Sequence, residues 1–293
     1  MKKKVIAIIN PHSGMFHLAR SLTEIESLLQ SRFRGIKIYR TRSIRAAKEI
    51  LRCSRRDGTR LVVVVGGDGS VRTAAQTLTG SKVAIGIIPF GTANNVAISL
   101  GIPMLYENAV ELIDGTPPAA VDLGKVGRTC FVEAAGVGFY AEALAFYARH
   151  RGKSIVRSAY SIARMIQNLT PFEVRLNIDG EAIESRVYQV TFSNLPLYGT
   201  GFSIAPDAAC DDGMIDVTII GRMEKEQMLR YILSAKMGTL TKLPQVEVFR
   251  GRRIELTVEK PMNFHLDDEL RFGDRFIVRV IPDALRVIMP EKK

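Results

Sequence analysis

Leu61-Val62-Val63-Val64-Val65-Gly66-Gly67-Asp68-Gly69-Ser70 decides how this 293-residue chain is read. Five consecutive apolar residues, four of them valines, suit a strand covered on both faces, and the glycine-rich turn stops it. Upstream, residues 5–9 are a second short apolar run, ended by Asn10-Pro11-His12-Ser13-Gly14. Downstream, residues 83–88 are a third, ended by Pro89-Phe90-Gly91-Thr92-Ala93-Asn94-Asn95. Residues 17–32 repeat apolar side chains at helical spacing, 36–39 read as a strand, and 44–55 and 71–78 read as helices. Strand–helix alternation with short connections predicts parallel strands in a layered α/β domain.

From about residue 121 the pattern changes. Ten strand-like stretches follow, among them 121–126, 129–135, 173–178, 181–193, 245–249, 252–258, 263–266, 275–280 and 285–289. Asp179-Gly180 between two of them is a strong hairpin signal. Helical patterns interrupt at 140–169 and 225–236, and Met223, Met228 and Met237 are expected in helix core. The shift near Gly115-Thr116-Pro117-Pro118 sets the expected boundary: an α/β domain over 1–120, with a tail at about 284–293 that can pack back on it, and a β-rich domain over 121–283.

The chain carries 41 Lys+Arg and 30 Asp+Glu, a net charge of +11, with 46% hydrophobic and 24% charged residues. That balance excludes a disordered chain. No run of about 18 uncharged apolar residues occurs, so no transmembrane segment is expected. Only five apolar residues follow Met1-Lys2-Lys3-Lys4, too few for a secretory signal core. Cys53, Cys130 and Cys210 are odd in number and far apart, which points to a reducing, cytoplasmic setting without disulfides or zinc. The charge is uneven: residues 1–60 hold 15 Lys+Arg and 4 Asp+Glu, the whole of the excess. Such a field attracts polyanions, whether nucleotide phosphates, nucleic acid or an anionic membrane surface. Few aromatics and no Trp argue against nucleic acid.

The three turns follow the C-terminal ends of parallel strands, where an open sheet places its ligand crevice. Glycines let backbone N–H groups approach a phosphate, and the following helix offers its positive end. The chain has no Gly-x-x-x-x-Gly-Lys-Ser/Thr loop and lacks the third Gly of the dinucleotide fingerprint. Asp68 inside the glycine turn would repel phosphate unless a divalent cation lies between them, so it is a candidate Mg²⁺ ligand, direct or through water. A turn Asp bonding its own backbone is the plainer alternative.

Taken together, Gly66-Gly67-Asp68-Gly69-Ser70, the preceding Asn10-Pro11-x-Ser13-Gly14 and the following Pro89-Phe90-Gly91-Thr92-Ala93-Asn94 resemble the diacylglycerol kinase catalytic domain. That family includes bacterial lipid kinases, sphingosine kinases and ceramide kinases, and is more distantly related to NAD kinases. Asp122-Leu123-Gly124, Asn194 with Gly199, Pro206-Asp207-Ala208, Asp211-Asp212-Gly213 and Leu266-Asp267-Asp268-Glu269 fall in the family's order along nearly the whole chain.

The resemblance implies an N-terminal Rossmann-like α/β nucleotide-binding domain and a C-terminal antiparallel β-sandwich. It implies ATP- and Mg²⁺-dependent phosphorylation of diacylglycerol or a related lipid alcohol, by a protein peripheral to the inner face of the membrane, and leaves a homodimer open. Asn10, Pro11, His12, Ser13, Gly14, Thr41, Gly66, Gly67, Asp68, Gly69, Ser70, Val71, Arg72, Thr92 and Asn94 would surround ATP. Asp68 and Asp122 would join its Mg²⁺ network, and Glu269 would be the general base, near Asp267. Asp212, with main-chain oxygens of Ala209 and Met214, would hold a structural Mg²⁺. The chain departs from the family at Thr73 and Asn95, where acids are common, and at Asp268, where Gly is usual. Two other readings stay open: a kinase of a soluble alcohol related to the NAD kinases, and a catalytically silent nucleotide-binding homologue.

Overall fold

The valine run forms the centre of a parallel sheet. The computed structural model describes residues 4–11, 18–149, 170–224 and 227–291. The chain divides into two units, one of Met1–Leu123 with Pro282–Lys293, the other of Gly124–Ile281. The first contains β1 (Lys4–Ile9), α1 (Leu18–Arg32), β2 (Lys37–Arg40), α2 (Ile44–Ser54), β3 (Thr59–Gly66), α3 (Asp68–Leu78), β4 (Ala84–Pro89), α4 (Asn95–Ser99), α5 (Tyr106–Gly115) and most of β5 (Ala119–Val126). The four strands β4-β3-β1-β2 pair in parallel, in that order. Val62–Val65 in β3 and Ile6–Ile9 in β1 are buried, as strands covered on both faces must be.

Register places the three turns on one edge. Val65 lies opposite Ile9 on one side and Ile88 on the other, so β1, β3 and β4 end level. Helix α3 begins at Asp68, three residues before the sequence pattern suggested, because Gly67 already serves as its N-cap.

The second unit contains β6 (Thr129–Phe131), β7 (Ala134–Gly138), α6 (Phe139–Arg149), β8 (Phe172–Ile178), β9 (Glu181–Ser193), β10 (Leu197–Tyr198), β11 (Phe202–Ser203), β12 (Ile215–Gly221), α7 (Gln227–Lys236), β13 (Val246–Gly251), β14 (Arg253–Leu266) and most of β15 (Glu269–Val287). All its described strand pairings are antiparallel. The first half of β9 pairs with β8, and its second half lies between β7 and β12. Strand β14 does the same, pairing first with β8 and then with β7, with a register shift between Thr257 and Met262. These two long strands join two layers around one core that includes Phe131, Phe192, Phe264 and Phe276. The molecule is therefore mixed α/β with a large β-rich C-terminal part.

Several expectations change. The stretches 253–258 and 263–266 are one strand, β14, and 275–280 and 285–287 belong to β15. The polar residues Glu259-Lys260-Pro261 hide that continuity from a hydrophobicity reading. The end of β15 pairs Arg286 and Val287 in parallel with Ala84 and Ile85 of β4. Met223 is buried, but Met237 is 75% exposed and Leu233 is 53% exposed. The expected second part of the 140–169 helix lies outside the described residues. The hairpin at Asp179-Gly180 forms with positive φ at both residues, the hand that two-residue hairpins require. Among the described residues no helix is long and apolar enough to cross a membrane.

The β7–β9 ladder has no room for a side chain at Gly136, where a Cβ would lie 2.2 Å from the Val190 carbonyl oxygen. Gly136→Ala is expected to destabilise the protein by about 1–3 kcal/mol, read as a lowered urea midpoint. An unchanged midpoint would show that the two strands are not held this closely.

Candidate active site

At the sheet edge of the first unit the three turns touch. Asn10, just after β1, donates from Nδ2 to the Ser70 hydroxyl at 3.3 Å. A Cβ on Gly91 would lie 2.4 Å from the Gly67 Cα, so the second and third turns are in backbone contact. Only glycine at both positions permits this approach. Asn94 holds the third turn: it adopts the left-handed conformation, its Oδ1 accepts from Gly91 N at 2.8 Å, and its Nδ2 donates to Gly91 O at 2.9 Å. Asp68 crosses between turns, with Oδ1 accepting from Val96 N at 3.0 Å.

The opening of α3 suits an anion. The amides of Asp68 and Gly69, its first two, have no carbonyl partner within the helix, whereas Ser70 N donates to Gly67 O at 2.9 Å. Space above Gly69 is open, and the nearest group to a Cβ there is the Arg72 guanidinium at 4.0 Å. N-terminal amides, helix dipole and a guanidinium together favour phosphate. One Asp68 oxygen is committed to Val96, which leaves the other for a bridging cation. The donor set here therefore fits a nucleotide phosphate with Mg²⁺.

The remaining residues expected around ATP lie as follows. His12, Ser13 and Gly14 fall outside the described residues. Thr41 is buried at the end of β2, its amide donating to Ile9 O at 2.8 Å. Val71 is buried in the core, so only its backbone could serve a ligand, whereas Thr92 is exposed. Asp122 is buried, and its Oδ1 accepts from Asp283 N at 2.9 Å. That bond caps Asp283, which sits in the left-handed region at φ 49°.

In the second unit the acids at 267–269 divide their work. Asp267 is buried, and its carboxylate accepts from the amides of Val132, Glu133 and Ala134, with contacts from 2.8 to 3.3 Å. Its own amide donates to Ala134 O at 2.7 Å. Asn194 grips the same segment, donating from Nδ2 to Val132 O and from its amide to Glu133 O, both at 2.9 Å. These bonds interrupt the strand expected over 129–135 and split it into β6 and β7. Asp267 is thus a positioning residue for the turn. Glu269 opens β15, its side chain 33% exposed and 3.1 Å from Arg271.

A buried aromatic cluster beside this turn escaped the sequence reading. His265 lies between Tyr140, at 4.8 Å edge-on, and Tyr198, at 5.5 Å and stacked. Gln189 ties it in: Oε1 accepts from Tyr140 N, and Nε2 donates to Tyr198 Oη and Thr191 Oγ1. Neither His265 nitrogen has a hydrogen-bond partner among the described residues. Burial pushes the imidazole down to about 3, against an opposing pull from the Asp267 backbone. The signal was strand alternation: Phe264 and Leu266 belong to the core, so His265 lies on the other face of β14.

The Asp212 Oδ2 pairs with Arg250 and its Oδ1 accepts from Met214 N at 2.9 Å. Among the described residues no group of three or more His, Cys, Asp or Glu side chains could hold a metal ion.

Known proteins match this arrangement. Residues 4–126 match the family described as the diacylglycerol kinase catalytic domain, and residues 133–289 match the YegS C-terminal NAD kinase beta sandwich-like domain. The chain belongs to the diacylglycerol kinase and YegS-like lipid kinase family. A diacylglycerol kinase of Mycobacterium tuberculosis is 30% identical over 301 residues, covering 98% of this chain and 95% of that protein. A probable lipid kinase YegS-like of Chromohalobacter salexigens is 29% identical over 245 residues, covering 80% of this chain and 77% of its own length. The fold is that of a putative diacylglycerol kinase from Bacillus anthracis, with a TM-score of 0.83 at 22% identity over 99% of this chain and 96% of that one. The family match spans both the glycine turns and the Asp267–Glu269 hairpin.

Two outcomes test the Asp267 turn and the buried histidine beside it. Asp267→Ala would strand three buried amides and is expected to cost about 2–4 kcal/mol in urea unfolding; a loss under about 1 kcal/mol would exclude the turn-holding role. The unfolded chain protonates His265 near 6.5, whereas the folded one resists until about 3. Stability should therefore fall as pH drops through that window, by up to about 1.4 kcal/mol per pH unit from this residue. His265→Phe should remove that part of the slope. Identical pH profiles for the two proteins would show that the ring is not desolvated.

Proposed function

We propose that the chain transfers the γ-phosphate of ATP to the hydroxyl of diacylglycerol or a related lipid alcohol. The observation that carries this is the meeting of three Gly/Asn turns at the start of α3, with Asp68 and Arg72 beside the open space at Gly69. In this reading the amides of Gly67 to Gly69 and the Arg72 guanidinium hold the phosphates, and Asn10 steadies the Ser70 hydroxyl beside them. The free oxygen of Asp68 would face a Mg²⁺ ion, which when bound neutralises phosphate charge and leaves the γ-phosphoryl group open to attack. Asp122 supports the network from within the first unit while holding Asp283.

Glu269 supplies the remaining chemistry. A lipid hydroxyl must lose its proton as it attacks, and a half-exposed carboxylate at the start of β15 can take it. Asp267 fixes the turn that presents Glu269, its oxygens accepting from three amides. The first unit would thus serve the nucleotide and the second the lipid, with the protein working peripherally at the inner membrane face.

Radiolabelled ATP incubated with a total lipid extract should label a lipid phosphate ester. Label appearing only on soluble alcohols would refute the lipid acceptor. Glu269→Gln is expected to lower the rate by about 10²–10⁴-fold with an unchanged urea midpoint; full activity would remove Glu269 as the base. Asp68→Asn keeps an oxygen for Val96 N while losing the charge, so stability should hold and transfer should fall.

A further inference from the structure

The solvent face of α2 is a ladder of positive charge. Arg45, Lys48 and Arg52, with Arg55 and Arg56 just beyond the helix, recur at three- and four-residue spacing and so share one side. The other side buries Leu51 and Ser54, where α2 packs on α3. Arg45, Arg52, Arg55 and Arg56 are exposed and Lys48 is half-buried. Arg45 lies 3.4 Å from Glu49 in an exposed pair of little strength, and Arg55 donates to Thr77 O at 2.7 Å. Lys48, Arg52 and Arg56 have no acidic partner among the described residues. Residues 42–60 hold seven Lys or Arg and only two acids, Glu49 and Asp57. The helix is 11 residues long, so the ladder extends over roughly 16 Å. At its start Ile44 is 60% exposed, between Arg42 and Arg45.

A merely solubilising face mixes signs evenly, whereas this one sets a single acid, Glu49, among its cations. Residues 40–60 contain no Phe, Tyr or Trp, so single-stranded nucleic acid would find no stacking platform here. A row of cations with an apolar side chain at its end matches the interface of an anionic bilayer, where phosphates lie above hydrocarbon.

We propose that this face of α2 docks the N-terminal unit on an anionic phospholipid surface. Arg45, Lys48, Arg52 and Arg56 meet headgroup phosphates, and Ile44 enters the interface. The choice of partner rests on the lipid-kinase reading, since it is the acceptor that brings the protein to a bilayer.

The test is co-sedimentation of the full chain with phosphatidylglycerol-containing vesicles, against pure phosphatidylcholine vesicles. Wild type should bind the anionic vesicles, less so as salt rises. The triple variant Lys48→Gln, Arg52→Gln, Arg56→Gln should bind on the order of 100-fold more weakly, roughly 5-fold per residue. A control triple in the second unit, Arg186→Gln, Arg252→Gln, Arg279→Gln, should bind as wild type. No binding by wild type, equal losses in the two triples, or tighter binding to a duplex oligonucleotide than to vesicles would each overturn the proposal. Transfer to a short-chain acceptor in neutral detergent separates the two readings. The α2 triple should match wild type there, and absence of wild-type transfer would refute the lipid kinase while leaving the vesicle result standing.

Discussion

Three backbone amides, those of Val132, Glu133 and Ala134, turn to the single carboxylate of Asp267. A buried carboxylate is costly unless its oxygens are filled, and buried amides are costly unless they donate. Each group therefore solves the other's problem, and much of the second unit follows. The segment cannot continue as a strand, so β6 ends at Phe131 and β7 begins at Ala134. Asp267 is held at φ 50°, which reverses the chain between Leu266 and Glu269. The hairpin then sets Glu269 at a half-exposed position, 3.1 Å from Arg271.

The first unit depends on an equally local constraint. Gly67 and Gly91 are in backbone contact, and any side chain at Gly91 would strike the neighbouring turn. Their approach brings the end of β3, the start of α3 and the loop before α4 into one small region. Asp68 fastens the arrangement through Val96 N, so the acid that looked catalytic in the sequence is also a structural tie. Asp122 is likewise tied into the fold, through its bond to Asp283.

Local chemistry made a good part of this readable. The apolar runs before residues 10, 66 and 89 announced buried parallel strands, and the glycines after them announced tight turns at their ends. The hairpin at Asp179-Gly180 was equally plain, because only certain residues accept positive φ. Long strands were harder to see. Strand β14 carries Glu259-Lys260-Pro261 in its middle, and solvent exposure there removes the alternation on which a strand reading relies. His265 gives no site signal in the sequence, because no partner spacing surrounds it there. Its neighbours Tyr140 and Tyr198 come from α6 and β10, more than sixty residues away.

The strand ends, the glycine turns, the concentration of charge before residue 60 and the order of motifs that marks the family are all written in the amino acids. All of these depend on residues near one another along the chain, where backbone sterics and burial periodicity act directly. Tertiary structure alone decided what each acid does. Whether a carboxylate is free for chemistry depends on which amides or cations reach it. For Asp267 the donors stand more than 130 residues away, for Asp122 the donor is Asp283, and for Asp212 the partner is Arg250. Folding distributes these donors by packing, and no spacing in the sequence encodes which oxygen they leave open.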